Sequence, residues 1–184
     1  MAQEMTEIRW HGRGGQGAKT AAQLVAQVAL EEGKFSQGFP EYGPERMGAP
    51  IRGFTRISEG AIRLHCPIEH PDVVVVLDDG ILNEIDVTAG MKPGGTLIIN
   101  TPKARETYDF GDFKLATADV TGLAEKAGLK RGIVNTGIIG AFAKALPIVP
   151  LSALLEAIKV EFEGSRGPEN AEAARMTHAH TEAE

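Results

Sequence analysis

Apolar and polar positions along the chain change period several times. Ile8-Arg9-Trp10-His11 alternates and runs at once into glycines, which predicts a first strand entering a Gly-rich turn. Over residues 16–32 the period lengthens. Ala21, Leu24, Val25, Val28 and Ala29 share one face at helical spacing, and Gly33 is placed to stop the helix. Residues 36–50, SQGFPEYGPERMGAP, hold Gly38, Pro40, Gly43, Pro44, Gly48 and Pro50, which predicts a long functional loop with no regular element. Alternation resumes over 51–57 and 61–65 on either side of Ser58-Glu59-Gly60, the signal of a hairpin.

The run Val73-Val74-Val75-Val76-Leu77 is unbroken, as in a strand buried on both faces of a parallel sheet. A short helix over 81–86, strands over 96–100 and 113–117, and helices over 121–127, 137–146 and 151–162 follow. Strands alternating with helices predict one α/β, Rossmann-like domain with a mostly parallel sheet and a β-hairpin insertion. The expected domain spans 1–174. Residues 175–184, which end in THAHTEAE, are expected to form a mobile tail.

Composition narrows the function. The chain has 184 residues, 42% hydrophobic and 24% charged, enough for one domain with a full core. Its net charge of −6 argues against nucleic acid, whose binders carry a basic stripe. No apolar run approaches the roughly 20 residues of a spanning helix, and the polar start MAQEMTEIRW shows no signal peptide, so a cytoplasmic location is expected. The single cysteine, Cys66, cannot hold an iron–sulfur cluster, which takes about four thiolates. Next to Pro67 it reads as a small buried side chain.

The richest chemical signal is His11-Gly12-Arg13-Gly14-Gly15-Gln16-Gly17-Ala18-Lys19-Thr20. Gly12, Gly14 and Gly17 satisfy G-x-G-x-x-G after a strand and at the start of a helix. Glycine lets a phosphate approach the backbone, free N–H groups and the positive helix end face it, and Arg13 can add a charge-assisted contact. Three ligand readings are weighed against this loop. A dinucleotide site wants an acid about 20 residues on, where Glu31, Glu32 and Glu41 are poorly placed. A P-loop wants its lysine directly after the glycine, and Ala18 intervenes, turning Lys19 by roughly 100°. The third reading is the phosphate of a cosubstrate such as coenzyme A, or a partner's backbone. A plain tight turn without a ligand is the remaining possibility.

Two long stretches, RWHGRGGQGAKTAAQLVAQVAL and FPEYGPERMGAPIRGFTRIS, together resemble the gamma subunits of pyruvate:ferredoxin oxidoreductases. VNTGIIGAFAKAL and LSALLEAIKVEF fit the same family, so the resemblance covers residues 8 to about 174. It implies a subunit that is inactive alone. Alpha, beta and delta-type partner subunits would hold thiamine diphosphate, magnesium and the iron–sulfur clusters, and this subunit would help form the coenzyme A site. The implied reaction is oxidative decarboxylation of a 2-oxoacid to an acyl-CoA, with electrons passing to ferredoxin or a related acceptor. Gly12, Arg13, Gly14, Gly15, Gln16 and Gly17, with Arg46 and Arg52 in and beside the PERMGAP stretch, are the candidate cofactor contacts. The 39–50 loop, with Phe39, Tyr42, Glu45, Arg46 and Met47, is the expected inter-subunit surface.

Other residues carry weaker signals. His11 reads equally as a phosphate donor or a packed histidine. Asn135-Thr136 reads as a helix N-cap. His178 and His180 form an H-x-H with no further ligand nearby. The rival readings of the whole chain are a stand-alone nicotinamide dehydrogenase and a ligand-free assembly module.

Overall fold

The computed structural model describes residues 5–41 and 46–183. Strand β1 (Met5–Arg13) leads into helix α1 (Ala18–Glu31), then β2 (Phe35–Pro40) and β3 (Pro50–Ser58). β4 (Val73–Val76), β5 (Thr96–Asn100) and β6 (Lys114–Ala118) follow, then α2 (Val120–Lys126), α3 (Gly137–Ala145), α4 (Leu151–Glu161), α5 (Gly167–His180) and β7 (Glu182–Ala183). Short 3₁₀ turns at Asp79–Asn83 and Arg105–Thr107 follow β4 and β5.

The seven strands form one sheet in the order β2-β3-β1-β4-β5-β6-β7. β1, β4, β5 and β6 run parallel, while β3 pairs antiparallel with both β1 and β2, and β7 antiparallel with β6. The α/β, Rossmann-like expectation is met, with an antiparallel wing on a parallel centre. The helices lie on one face, where Ile8, Trp10, Val73, Val75 and Ile98 pack with α1, α3 and α4 residues such as Val25, Phe142 and Leu154. On the other face Val74, Val76, Leu97 and Ile99 meet Ile81, Val87 and Met91 from the connections. That two-sided burial is why 73–77 reads as a continuous apolar run. α3 is sandwiched, with every residue from Gly137 to Ala143 buried. A Cβ on Gly140 would fall on the carbonyl oxygen of Ala174, so glycine there lets α5 cross closely.

Four expectations change. First, the hairpin joins β2 to β3, and 61–65 forms no strand. Both sides of β3 are taken by β1 and β2, and Leu64 is 44% exposed, so the alternation there marks no buried face. Second, 35–40 is a strand despite its glycine and proline. Gly38 is needed because a Cβ would stand 2.7 Å from Gln23 Cα on α1, and Pro40 is tolerated on an edge strand. Third, residues 175–183, expected as a mobile tail, instead carry the end of α5 and β7, with Thr177 fully buried. The signal missed is the small-residue face of Ala171, Ala173 and Ala174, which packs closely against α2 and α3. Fourth, Cys66 is exposed, and its carbonyl accepts from Arg56 at 2.9 Å.

Two buried cations tie the strands to the connections on that second face. Arg9 is 4% exposed and donates to the carbonyls of Val87 (2.9 Å) and Ala89 (2.7 Å) and to His11 Nε2 (3.0 Å). Arg56 donates to Glu7 Oε1 at 3.0 Å.

Candidate functional site: the glycine turn at the seam of the sheet

β1 is flanked by antiparallel β3 on one side and parallel β4 on the other, so the sheet changes character beside it. In open α/β sheets ligands bind outside the carboxyl ends of strands at such a switch point. The segment from Gly12 to Gly17 lies there, between β1 and α1. Each glycine has a separate job. A Cβ on Gly12 would stand 3.1 Å from Ala18 Cβ, so Gly12 sets the close packing of strand and helix. Gly14 sits where a side chain would meet the carbonyl of Arg46. Its N–H donates to Ala49 O (2.9 Å) and its carbonyl accepts from Gly48 N–H (3.1 Å). Gly15 and Gly17 have φ of 92° and 79°, the left-handed region that glycine enters without strain. Gly17 is the N-cap of α1 and supplies no side-chain cap, so the first-turn N–H groups are left to other partners. Asn135 packs over Gly17, 2.8 Å from where a Cβ would be.

Arg13 and Gln16 face inward. Arg13 donates to Asp78 Oδ2 (3.2 Å), Glu84 Oε1 (2.6 Å) and Gly48 O (3.2 Å). Its hydrogen bond to Glu84 raises the guanidinium pKa above its ordinary value. Gln16 accepts from Arg13 N–H (2.7 Å) and donates to Asp78 Oδ2 (2.9 Å). Asp78 also accepts from Gly80 N–H at 2.9 Å. This carboxylate, at the end of β4, joins the glycine turn to the 3₁₀ turn. Asp78 and Glu84 were not among the candidate residues of the sequence. An acid directly after an apolar strand is the signal that marks Asp78, whereas nothing local marks Glu84.

Beneath the turn a cleft of about 490 Å³ opens between the ends of β4, β5 and β6. Gln16, Asp78, Asp79, Asn100, Asp119 and Glu125 line it, with Arg131 Nε 3.9 Å from Glu125 Oε1. Burial pushes the Asp79 carboxyl up, but hydrogen bonds from Thr101, Lys103 and Tyr108 outweigh that and hold it below its ordinary range. The cleft is therefore acidic, and backbone N–H groups at the start of α1 are the anion-favouring feature of this end of the sheet.

Of the remaining candidates, Arg46 meets the turn through its backbone and Arg52 lies apart on β3. Arg52 lies on β3 opposite His11 and is bidentate to Glu41, Nε to Oε2 at 2.9 Å and a second nitrogen to Oε1. Glu41 is thereby occupied, and β3 lies between β2 and β1, so Glu41 is not placed at the turn as a ribose sensor would be. Arg46 is exposed, with its carbonyl against Gly14 and accepting from Ala49 N–H at 3.1 Å. Met47 is 87% exposed beside Gly15. Tyr42 and Glu45 of the expected interface lie outside the described residues. His11 is packed, 3% exposed, with Nε2 taken by Arg9 and Nδ1 without a partner. Burial, then Arg9 and Arg52, lower its pKa to about 3. Thr136 does not cap α3 with its side chain but donates to Asn170 Oδ1 at 2.9 Å. His178 and His180 are two residues apart on α5, a spacing that faces them apart.

Residues 7–179 match the family model for pyruvate ferredoxin/flavodoxin oxidoreductase. The chain is similar to the pyruvate/ketoisovalerate oxidoreductases common subunit gamma of Thermococcus kodakarensis, 51% identical over 92% of this chain and 94% of that protein. It is similar to the crystal structure of pyruvate oxidoreductase subunit PORC from Thermotoga maritima, with a TM-score of 0.84 and 39% identity over 98% of each chain. Its fold also matches part of a 2-oxoglutarate:ferredoxin oxidoreductase from Magnetococcus marinus, solved with 2-oxoglutarate, coenzyme A and succinyl-CoA bound. There the TM-score is 0.75 and the identity 19%, over 96% of this chain and 31% of that one. With a whole-domain family match and close relatives of equal length, the chain belongs to the pyruvate ferredoxin/flavodoxin oxidoreductase family.

Proposed function

We propose that this chain works as the gamma subunit of a thiamine-diphosphate-dependent 2-oxoacid:acceptor oxidoreductase, where it helps form the coenzyme A site and holds the assembly together. The observation that carries the reading is the end-to-end similarity to gamma subunits of pyruvate-type enzymes. The reaction would be oxidative decarboxylation of a 2-oxoacid such as pyruvate to an acyl-CoA in the cytoplasm. Thiamine diphosphate, magnesium and iron–sulfur clusters would reside on alpha, beta and delta-type partners, and electrons would leave to ferredoxin or a related acceptor. A relative named as common to pyruvate and ketoisovalerate enzymes favours 2-oxoacid choice by the other chains.

Within this chain, coenzyme A phosphate would lie on the backbone of Gly15, Gln16 and Gly17 at the start of α1. Arg13 would act by setting the turn, since Asp78 and Glu84 already neutralise it. Arg46 and Met47 would face a neighbouring subunit, while Arg52 would brace the wing through Glu41.

The test is Gly15→Ala in the assembled complex. Its Cβ would stand 2.6 Å from Met47 Sδ, part of a flexible and exposed side chain, but φ of 92° strains alanine by about 1–3 kcal/mol, so complex assembly and thermal stability of the variant are measured beside its kinetics. The expected result is a KM for coenzyme A raised roughly tenfold, with the 2-oxoacid KM and coenzyme-A-independent decarboxylation unchanged. An unaltered coenzyme A dependence in a fully assembled variant would leave the turn as architecture alone. The isolated chain, given thiamine diphosphate, coenzyme A, 2-oxoacids and an artificial acceptor, is expected to show no turnover.

A further inference from the structure

We propose that Asp78 is the positioning residue of the glycine turn. Through Gln16 it holds the turn closed at Arg13, so that the start of α1 meets an incoming phosphate in a fixed geometry. The ligand, coenzyme A, rests on the reading above, while the positioning rests on hydrogen bonds within this chain.

A carboxylate is out of place beside a phosphate site. Its charge opposes that of the ligand, so by charge alone Asp78 weakens binding. Its contacts give the reason for its presence. Asp78 Oδ1 accepts from Gly80 N–H at 2.9 Å and caps the 3₁₀ turn that follows β4. Asp78 Oδ2 accepts from two donors of the glycine turn, Gln16 Nε2 at 2.9 Å and Arg13 Nε at 3.2 Å. An ionised carboxylate only accepts, so it fixes which end of the Gln16 amide faces it. The amide nitrogen turns to Asp78, and Gln16 Oε1 is left to accept from Arg13 N–H at 2.7 Å. Gln16 N–H in turn donates to Arg13 O at 2.9 Å. Arg13 and Gln16 close the turn on each other, and Asp78 sets the sense of that closure.

The rest of the turn cannot take over this task. Gly15 and Gly17 stand at positive φ and bring no side chains. α1 then starts at Ala18 without a side-chain cap, which leaves its first N–H groups to an anion. Arg13 is engaged by Asp78 and Glu84, so the phosphate depends on where the backbone N–H groups stand.

Asparagine at position 78 isolates the role. It keeps the shape, and its side-chain oxygen can still cap the 3₁₀ turn. Its amide nitrogen would then face Gln16 Nε2 and Arg13 Nε, donor against donor. Turning the Gln16 amide over relieves that clash, but it sets the Gln16 nitrogen against Arg13 N–H and opens the turn.

The assembled oxidoreductase carrying Asp78→Asn should show a KM for coenzyme A raised roughly tenfold, with kcat and the 2-oxoacid KM unchanged. The sign is decisive, because removing a negative charge beside Arg13 would by itself lower that KM. The full chain alone gives a second measurement, in which the Arg13 amide of Asp78→Asn should exchange at least roughly tenfold faster. Combining Gln16→Glu with Asp78→Asn conserves charge and again sets an acceptor against a donor, so it should return the slow exchange. A coenzyme A KM that falls or stays constant in Asp78→Asn, while Gly15→Ala raises it, overturns the proposal and leaves the coenzyme A reading standing. If Gly15→Ala leaves that KM unchanged, the coenzyme A reading fails and the Arg13 amide decides the positioning by itself. Unchanged exchange in Asp78→Asn, or fast exchange in the folded double variant, overturns the proposal in every case. Should Asp78→Asn not fold, Gln16→Met takes its place, since it leaves Asp78 its bonds to Arg13 and Gly80. The same KM rise and faster exchange are expected there, and the absence of either overturns the proposal.

Discussion

The parallel centre of the sheet and its antiparallel wing are held together by different means. β4 and β5 are buried on both faces by valine, isoleucine and leucine, and their stability is distributed over many apolar contacts. The wing depends on a few particular approaches. Gly38 and Gly53 let β2 and β3 touch the backbone of α1, Ser36 and Thr55 hydroxyls donate to carbonyls of that helix, and Arg56 and Arg52 pair with Glu7 and Glu41. The glycine turn lies on the seam between the two. A scaffold of redundant apolar packing tolerates a neighbour built from specific contacts, and it is the specific part that offers backbone groups and charges to a ligand or partner.

The largest expected effect breaks the centre and its helices. In Gly140→Val the new Cβ collides with the carbonyl of Ala174, which is backbone and cannot step aside. We expect a loss of about 3 kcal/mol or more, with Tm lowered by about 10 °C, read by thermal unfolding of the purified chain. Arg56→Met comes next and acts on the wing. It strands Glu7, whose side chain is 14% exposed, and releases the carbonyl of Cys66. Lys92 Nζ, 3.6 Å from the same carboxylate, softens the loss, so about 2 kcal/mol is expected from denaturant unfolding. If Gly140→Val cost less than Arg56→Met, the assignment of bulk stability to the centre and its helices would be wrong.

The same division explains what could be read from sequence. Elements of the centre announce themselves through local pattern: α1, β4, β5, α3 and α4 lie within two residues of their expected limits. In the wing the pattern misleads. Gly38 and Pro40 look like strand breakers, and become compatible with a strand only because α1 crosses at Gly38 and the strand is an edge. The tail misleads for a related reason. Ala171, Ala173 and Ala174 are weak apolar signals alone, and their burial comes from α2 and α3, far off in sequence. At the site, the turn itself was legible from its glycines. The role of Arg13 was not, because Asp78 and Glu84, 65 and 71 residues away, decide where its charge is spent.

A smaller effect tests the seam through pH. His11 is buried beside Arg9, and burial followed by that charge holds its pKa near 3, well below the ordinary 6.5. The folded chain therefore keeps His11 neutral while the unfolded chain takes up a proton. Stability from this residue is complete above about pH 6.5 and declines as pH falls from there toward 3. Between pH 6.5 and 5 the loss should be about 1–2 kcal/mol. His11→Gln, which can still accept from Arg9 Nε, should show a flatter stability profile over that interval. Parallel profiles for the two chains would show that carboxylates elsewhere carry the acid sensitivity.

The smallest expected effect concerns Arg52. Its guanidinium grips Glu41 in a fork, raises its own pKa through that hydrogen bond, and lies 5.9 Å from the ring of Phe54. Yet both side chains are more than a third exposed, so water screens the pair and side-chain ordering opposes it. Arg52→Ala should cost only about 0.5 kcal/mol in the isolated chain, near the limit of detection by chemical denaturation. In the assembled oxidoreductase the prediction differs. Arg52 and Glu41 lie close in sequence to Arg46 and Met47, and loosening the pair is expected to disturb how those two residues are presented. Co-purification of partner chains should therefore fall more than stability does, and charge-preserving Arg52→Lys, which cannot form the fork, should restore only part of it. A large stability loss in the isolated chain would instead make Arg52 a core strut of the wing and leave the partner surface to Arg46 and Met47.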